Sequence, residues 1–68
     1  MTLRAAREWR RWTQEELEER SGVPQPTISK LERGEVVNPG HHTVVKLEVA
    51  LRLKRGTLIF GQVMERSA

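Results

Sequence analysis

Two adjacent histidines, His41 and His42, are the side chains best suited to metal or proton chemistry. Neighbouring residues on a helix point in different directions, and a structural zinc site needs about four ligands. No clustered cysteine or aspartate completes a site with them. We therefore expect no metal ion and no cofactor, and we expect the two histidines to pack and cap at the start of a helix.

The remaining polar side chains show no arrangement typical of a catalyst. The sequence has no Ser/His/Asp combination, no pair of carboxylates placed for acid–base work and no glycine-rich phosphate loop. A chain of 68 residues also leaves little room for a substrate pocket. The sequence therefore predicts that the protein is not an enzyme.

Composition and length predict one small domain in the cytoplasm. A net charge of +3 favours an anionic partner without naming one. The absence of cysteine suits a reducing compartment, and no apolar run or signal peptide indicates contact with a membrane. We expect a domain over residues 1–64 and a short tail over 65–68. A core this small also makes completion by a second subunit plausible.

Capping residues predict the first two helices. Thr2 precedes apolar residues at helical spacing, which predicts a helix that ends near Arg11. Thr13 is followed three residues later by Glu16, the spacing of a capping box, so a second helix starts directly after Thr13. Gly22 is placed to end this second helix in a left-handed conformation.

Prolines and glycines delimit the rest of the chain. A short helix is predicted over residues 25–33, with Pro26 in its first turn, where a missing N–H does no harm. Residues 35–40 form a predicted loop, and a fourth helix is predicted from about residue 41 to residue 52. The apolar residues 58–60 indicate a weaker fifth helix.

The second and third predicted helices, joined by a short turn that contains glycine, form the pattern of a helix-turn-helix. Val23, Ile28 and Leu31 are expected to pack against Leu17. The opposite face of the third helix is then expected to be polar and protruding.

Over residues 3–60, the chain resembles the Cro and phage-repressor type of proteins, also called the xenobiotic-response-element family. The resemblance implies an all-α fold, a compact five-helix lambda-repressor-like DNA-binding domain with a helix-turn-helix. The matching residues stand in the family's order and spacing: Arg7, Trp12–Leu17, Ser21–Val23, Thr27–Gly34, Asn38–Pro39 and Ala50–Leu51.

The resemblance also implies that the helix over residues 25–33 enters the major groove of double-stranded DNA. Glutamine pairs with adenine, lysine donates to guanine, and serine or threonine serves either base. Pro26 departs from the polar residue usual at its position and offers only an apolar contact, for instance to a thymine methyl group. The residues expected to meet base edges are Gln25, Pro26, Thr27, Ser29 and Lys30.

Further roles follow from the resemblance. Gln14, at the start of the second helix, is expected to contact a phosphate, where backbone N–H groups and the helix dipole favour an anion. Thr13, Arg33 and Asn38 are the other expected backbone contacts. A structural ion pair is expected between the side chains of Arg7 and Glu32.

The two tryptophans are treated differently, since a structural role is predicted for one and three alternatives are given for the other. Trp12 precedes the Thr13 cap, and we assign it to the core as a hydrophobic staple. Trp9 is left open between packing on the tail, packing on a partner and lying on the surface. For Arg10 and Arg11, an approach to the DNA backbone and simple solvation are weighed equally.

Three further residues depart from the family pattern. Glu18 and Glu48 stand where a small residue is usual, so each is expected to find a cation or to turn its carboxylate to water. Val49 replaces a polar residue. With Ile59, Phe60, Val63 and Met64 it is expected to form an apolar patch covered by a second subunit, the alternative being that these residues complete the monomer's own core.

These observations favour a dimeric, sequence-specific transcriptional regulator that represses by occupying a promoter. The alternative is an antitoxin or adaptor that uses the surface from Leu58 to Met64 to hold a partner protein. A third interpretation is nonspecific nucleoid binding, which would depend strongly on salt but not on DNA sequence.

Overall fold

The computed structural model describes residues 1–36 and 38–60. This part of the chain is helical and has no strand. Its four helices are α1 (Leu3–Trp9), α2 (Gln14–Ser21), α3 (Gln25–Glu32) and α4 (His41–Leu51). None of them has the length and hydrophobicity that a membrane span requires.

The first helix begins at its predicted cap but ends early. The Thr2 hydroxyl accepts a backbone N–H of the first turn at 3.1 Å, as expected of an N-cap. Helix α1 ends at Trp9, because Arg11 adopts a left-handed conformation with φ of 60°. The N–H of Trp12 then donates back to the carbonyl of Arg7, which closes the turn.

The α2–α3 junction has the predicted chemistry. The Thr13 hydroxyl accepts the Glu16 N–H at 3.0 Å, and the Glu16 carboxylate accepts the Thr13 N–H at 2.7 Å, which confirms the capping box. Gly22 ends α2 with φ of 80°, a conformation that favours glycine. Pro26 lies in the first turn of α3, and α3 ends at Glu32, one residue earlier than predicted.

The core lies between α1, α2, α3 and α4. Leu17, Ile28 and Leu47 are completely buried, so the inner faces of α2, α3 and α4 meet there. The four residues predicted to lock α3 against α2 are all buried, which confirms that prediction. The buried apolar residues are Leu3, Ala6, Leu17, Val23, Ile28, Leu31, Leu47, Leu51 and Leu58.

The fifth helix is not found at the residues where it was predicted, because residues 53–60 have no helix. Three of their backbone N–H groups, those of Gly56, Leu58 and Ile59, bond to the Glu48 side chain or to Met1 instead of to the preceding turn. The Leu58 N–H donates to the Glu48 carboxylate at 3.1 Å, and the Ile59 N–H donates to the Met1 carbonyl at 2.9 Å. The segment after α4 is therefore tied to α4 and to the start of the chain.

Glu48 corrects a second expectation. Its side chain is only 2 % exposed, and its carboxylate accepts the N–H of Gly56 at 3.0 Å as well as that of Leu58. Among the described residues no cation pairs with it, and its burial keeps it from bulk water. Two backbone donors satisfy the buried carboxylate, which holds the segment after α4 in place.

The histidines also differ from expectation. Both His41 and His42 are exposed, and their rings lie edge to face with centroids 6.0 Å apart. The N-cap residue of α4 is Gly40, and no side chain caps the helix. The predicted packing and capping role is therefore not found.

Candidate nucleic-acid interface

The outer face of α3 carries the residues predicted to read bases. Pro26 and Lys30 are exposed, while Gln25, Thr27 and Ser29 are half-buried at the edges of the helix. Ile28 and Leu31, on the opposite face, are buried in the core. The polar face is thus held outward by the apolar face, as a helix that must enter a groove requires.

Gln14 connects the polar outer face of α3, which we call the reading face, to the interior of the domain. Its amide nitrogen donates to the Glu32 carboxylate at 3.1 Å, and its amide oxygen accepts from the side-chain nitrogen of Gln25 at 2.6 Å. The Gln25 side chain is therefore held in one orientation. Sequence reasoning placed Gln14 and Gln25 in the interface but did not predict the hydrogen bond between them.

Glu32, which accepts the hydrogen bond from Gln14, also forms an ion pair with Arg7. Arg7 donates through Nε at 2.7 Å and through Nη2 at 3.0 Å to the two oxygens of Glu32. Its third donor, Nη1, reaches the Trp12 carbonyl at 2.7 Å. The two side chains are only 13 % and 4 % exposed. The hydrogen bond with Glu32 raises the pKa of Arg7 above its ordinary value, which favours the charged guanidinium.

Arg33, predicted to contact the DNA backbone, is engaged within the protein. Its Nη1 donates to the Ser29 hydroxyl at 2.5 Å, and its Nε pairs with the Glu35 carboxylate at 2.7 Å. Because Ser29 accepts from Arg33, its own hydroxyl proton remains available for a base acceptor. The hydrogen bond from Arg33 lowers the pKa of Glu35, and the same bond raises the pKa of Arg33.

The remaining predicted backbone contacts stay accessible. Thr13 and Asn38 are exposed at the start of α2 and in the loop after α3. Gln14 is half-buried at the first position of α2, beside N–H groups that have no partner within the helix. These positions suit contacts with phosphate oxygens, which orient a protein on DNA.

Glu18 has a role in this region that sequence reasoning did not foresee. The residue is exposed, as expected for a carboxylate turned to water, and its carboxylate also accepts the backbone N–H of Gln25 at 3.1 Å, so it caps the first turn of α3. The signal lay in Pro24, the N-cap residue, whose side chain accepts no hydrogen bond. A group from another helix had to satisfy the N–H groups at the start of α3.

Trp12 and Arg10 have structural partners. Trp12 packs against the core, and the guanidinium of Arg20 lies 4.5 Å from the centroid of its ring system, within range of a cation–π contact. Arg10 lies 5.7 Å from the same centroid and donates to the Leu51 carbonyl at 2.8 Å. Arg10 thus caps the end of α4, a role that sequence reasoning did not foresee.

The predicted apolar patch is divided in the structure. Val49 is 67 % exposed and lines one groove, whereas Ile59 and Phe60 line another, beside the start of α1. Phe60 packs against the core, and Leu58 belongs to it. Val63 and Met64 lie outside the described residues.

Comparison with known proteins adds to this geometry. A protein-family model described as helix-turn-helix matches residues 3–58, which include all four helices. No curated protein and no solved structure gives a significant match. The matched family consists of DNA-binding regulatory domains and is not an enzyme family. The chain therefore belongs to the Cro/phage-repressor type of helix-turn-helix proteins and is a DNA-binding transcription regulator.

Proposed function

We propose that the protein is a sequence-specific repressor that binds double-stranded DNA as a homodimer, with α3 of each subunit in the major groove. The observation that carries the proposal is the path from Arg7 through Glu32 and Gln14 to Gln25. It holds a base-reading side chain in place before DNA arrives. A side chain ordered in advance loses less conformational entropy on binding.

The geometry of Gln25 favours adenine. A glutamine amide has two N–H donors and one carbonyl acceptor. One N–H of Gln25 is used by Gln14, which leaves the other N–H and the carbonyl. These two groups match N7 and the N6 amino group of adenine in the major groove. We therefore expect an adenine opposite Gln25 in each half-site.

The other exposed side chains complete the contact. Ser29 offers its hydroxyl proton to a base acceptor, Lys30 offers three donors to guanine acceptors, and Thr27 offers a hydroxyl and a methyl group. Pro26 offers apolar surface to a thymine methyl group. Thr13, Gln14, Arg33 and Asn38 are proposed to contact the sugar-phosphate backbone, Arg33 after exchanging at least one of its internal partners.

The test is a selection from randomised duplexes by the full chain at near-physiological salt, followed by titration of the enriched site. We expect a two-fold-related motif bound at least about a thousand times more tightly than scrambled duplex. Half-sites should lie about 34 Å apart, one turn of DNA. Failure to enrich any sequence would contradict operator binding and would favour the antitoxin or adaptor role.

Single substitutions test whether the side chains of α3 contact the DNA. Gln25→Ala should weaken binding to the selected site by about 5- to 150-fold, because a bidentate base contact contributes roughly 1–3 kcal/mol. Gln14→Ala should weaken it as well, and combining the two changes should cost less than the sum of the single effects. Lys46→Ala is the matched control, since Lys46 is exposed on α4 and outside the proposed interface.

A further inference from the structure

A second surface lies where α1 and α4 end, and it contains both tryptophans of the chain. Trp9 and Leu53 line one groove, Trp12 and Val49 line a second, and Arg10 lines both. We call these two adjoining grooves the tryptophan face. None of the α3 residues proposed to read bases lines either groove.

Two large apolar side chains of the tryptophan face are exposed within the described part of the chain. Trp9 is 73 % exposed and Val49 is 67 % exposed, the two highest values among the large apolar residues of the described chain. Neither contributes to the core of the monomer. Exposed aromatic surface beside a groove is typical of protein-binding sites, in which tryptophan and arginine carry much of the affinity.

The charge on this face has one sign. Arg10 and Arg20 lie over the ring of Trp12, and Arg52 lines the same groove. In the part of the chain that the structure describes, no carboxylate lines either groove. Within residues 1–36 and 38–60, none of these three arginines forms a salt bridge with a carboxylate.

Internal contacts hold two of these guanidinium groups in place. Arg10 uses one of its five N–H donors for the Leu51 carbonyl, and Arg20 stacks on Trp12. A guanidinium that lies on a ring still presents N–H groups at its edge, and these match a carboxylate. The face therefore offers positive donors, held in position, between exposed apolar side chains.

We propose that the tryptophan face binds a segment of another protein that carries carboxylates interspersed with apolar side chains. Charge complementarity favours this occupant over a second copy of the chain, because a two-fold interface here would bring the arginines of both copies together. The exposed apolar side chains favour it over duplex DNA, whose outer surface offers mainly phosphates. The regulator would thus contact a partner protein through a surface separate from α3.

The first experiment selects peptides of about twelve residues, roughly three helical turns, from a random library on the immobilised full chain. We expect the enriched peptides to be acidic and to contain leucine or aromatic residues. Titration of one such synthetic peptide should shift the tryptophan emission, because both tryptophans of the chain line the proposed site. Its counterpart with glutamine in place of each glutamate should bind more weakly.

Variants of the chain test the site itself. Arg52→Gln should weaken peptide binding by about two- to fivefold, as for an exposed charge pair. Arg55→Gln should have no effect, since it removes the same charge from an exposed residue outside both grooves. Val49→Ala should weaken binding, because Val49 is 67 % exposed and lines the second groove.

Several outcomes would overturn the proposal. These are enrichment of neutral or basic peptides, equal effects of Arg52→Gln and Arg55→Gln, and displacement of the peptide by the selected duplex. A loss of DNA affinity in Arg52→Gln beyond that in Arg55→Gln would assign the face to nucleic acid instead. Unchanged DNA affinity in the presence of peptide is the expected result.

Discussion

At the scale of single residues, the nearly buried ion pair between Arg7 and Glu32 should contribute strongly to the free energy of unfolding. Removing one partner leaves a charge almost buried and unpaired, and such a change costs about 3–5 kcal/mol. We therefore expect Arg7→Met or Glu32→Gln to lower the free energy of unfolding by about 3 kcal/mol, measured by urea denaturation.

An exposed pair on α1 provides the matched comparison. Arg4 and Glu8 form a salt bridge of 3.1 Å, but their side chains are 67 % and 54 % exposed. Arg4→Met or Glu8→Gln should change the free energy of unfolding by only about 0.5 kcal/mol or less. Equal effects of the two pairs would show that burial is not what makes Arg7–Glu32 important.

A second prediction at this scale concerns Glu35. The hydrogen bond from Arg33 lowers its pKa below the ordinary value of 4.5. A carboxyl group whose pKa is lowered by folding stabilises the folded state above its unfolded pKa, and this contribution disappears as the pH falls through its folded pKa. Because both side chains are exposed, we expect the effect in the titration of Glu35 and not in global stability.

The measurement is an NMR titration of the Glu35 carboxyl carbon. The midpoint should lie below 4.5 in the native chain and return towards 4.5 in Arg33→Gln, which removes the first cause of the shift. Lys30→Gln should produce a smaller change, because Lys30 acts on Glu35 only through its charge. A midpoint that does not respond to Arg33→Gln would exclude the Arg33–Glu35 hydrogen bond in solution.

At the scale of secondary-structure elements, the start of α3 depends on a residue of α2. The Glu18 carboxylate accepts the Gln25 N–H, and the N-cap Pro24 provides no substitute. Glu18→Ala should lower the free energy of unfolding by about 1 kcal/mol, the usual cost of losing an N-cap. Chemical denaturation measures this loss, and amide hydrogen exchange at Gln25 should become faster.

The neighbouring residue supplies the control. Glu19→Ala removes the same charge from an exposed position of α2, and the structure gives Glu19 no hydrogen bond to α3. Its effect should be within about 0.5 kcal/mol, as for an ordinary surface substitution. If Glu18→Ala and Glu19→Ala were equivalent, the contribution of Glu18 would be its charge alone.

The elements that sequence could predict are those defined by local chemistry. The capping box of Thr13 and Glu16, the left-handed Gly22 and the buried Leu17 and Ile28 all follow from residues close in the chain. These predictions placed α2 and α3 within a residue of their observed limits.

The features that could not be predicted from the sequence depend on partners that are distant along the chain. The segment after α4 contains apolar residues, which indicated a helix, but its N–H groups bond to Glu48 and Met1. No spacing rule reveals such a partner. The hydrogen bond between Gln14 and Gln25 was missed for the same reason, since 11 residues separate the two side chains.

At the scale of the whole molecule, the proposed half-site recognition predicts a definite stoichiometry. One α3 reads about half a turn of groove, so two chains are needed to cover a two-fold-related site. Sedimentation of the selected duplex should show two chains per duplex, and a duplex with a single half-site should bind one chain more weakly. Inserting about five base pairs between the half-sites, half a turn of DNA, should abolish the advantage of the full site.

The tryptophan face and the reading face give this small molecule two surfaces with different chemistry. One presents amides and hydroxyls on α3, and the other presents arginines and tryptophans where α1 and α4 end. The adaptor role then need not exclude DNA binding, since a chain of 68 residues has room for both contacts at once.

The hydrogen bond between Gln14 and Gln25 bears on how such a regulator acquires a new operator during evolution. Lys30 is exposed, and no side chain among residues 1–36 and 38–60 is hydrogen-bonded to it, so under the proposed recognition its replacement should change the preferred base without altering the protein's interior. Gln25 cannot be exchanged so freely, because Gln14 loses its partner at the same moment. Under the proposed recognition, a new base preference at position 25 therefore requires a second substitution at position 14. We expect the operators of related regulators to differ first at the bases that contact Lys30.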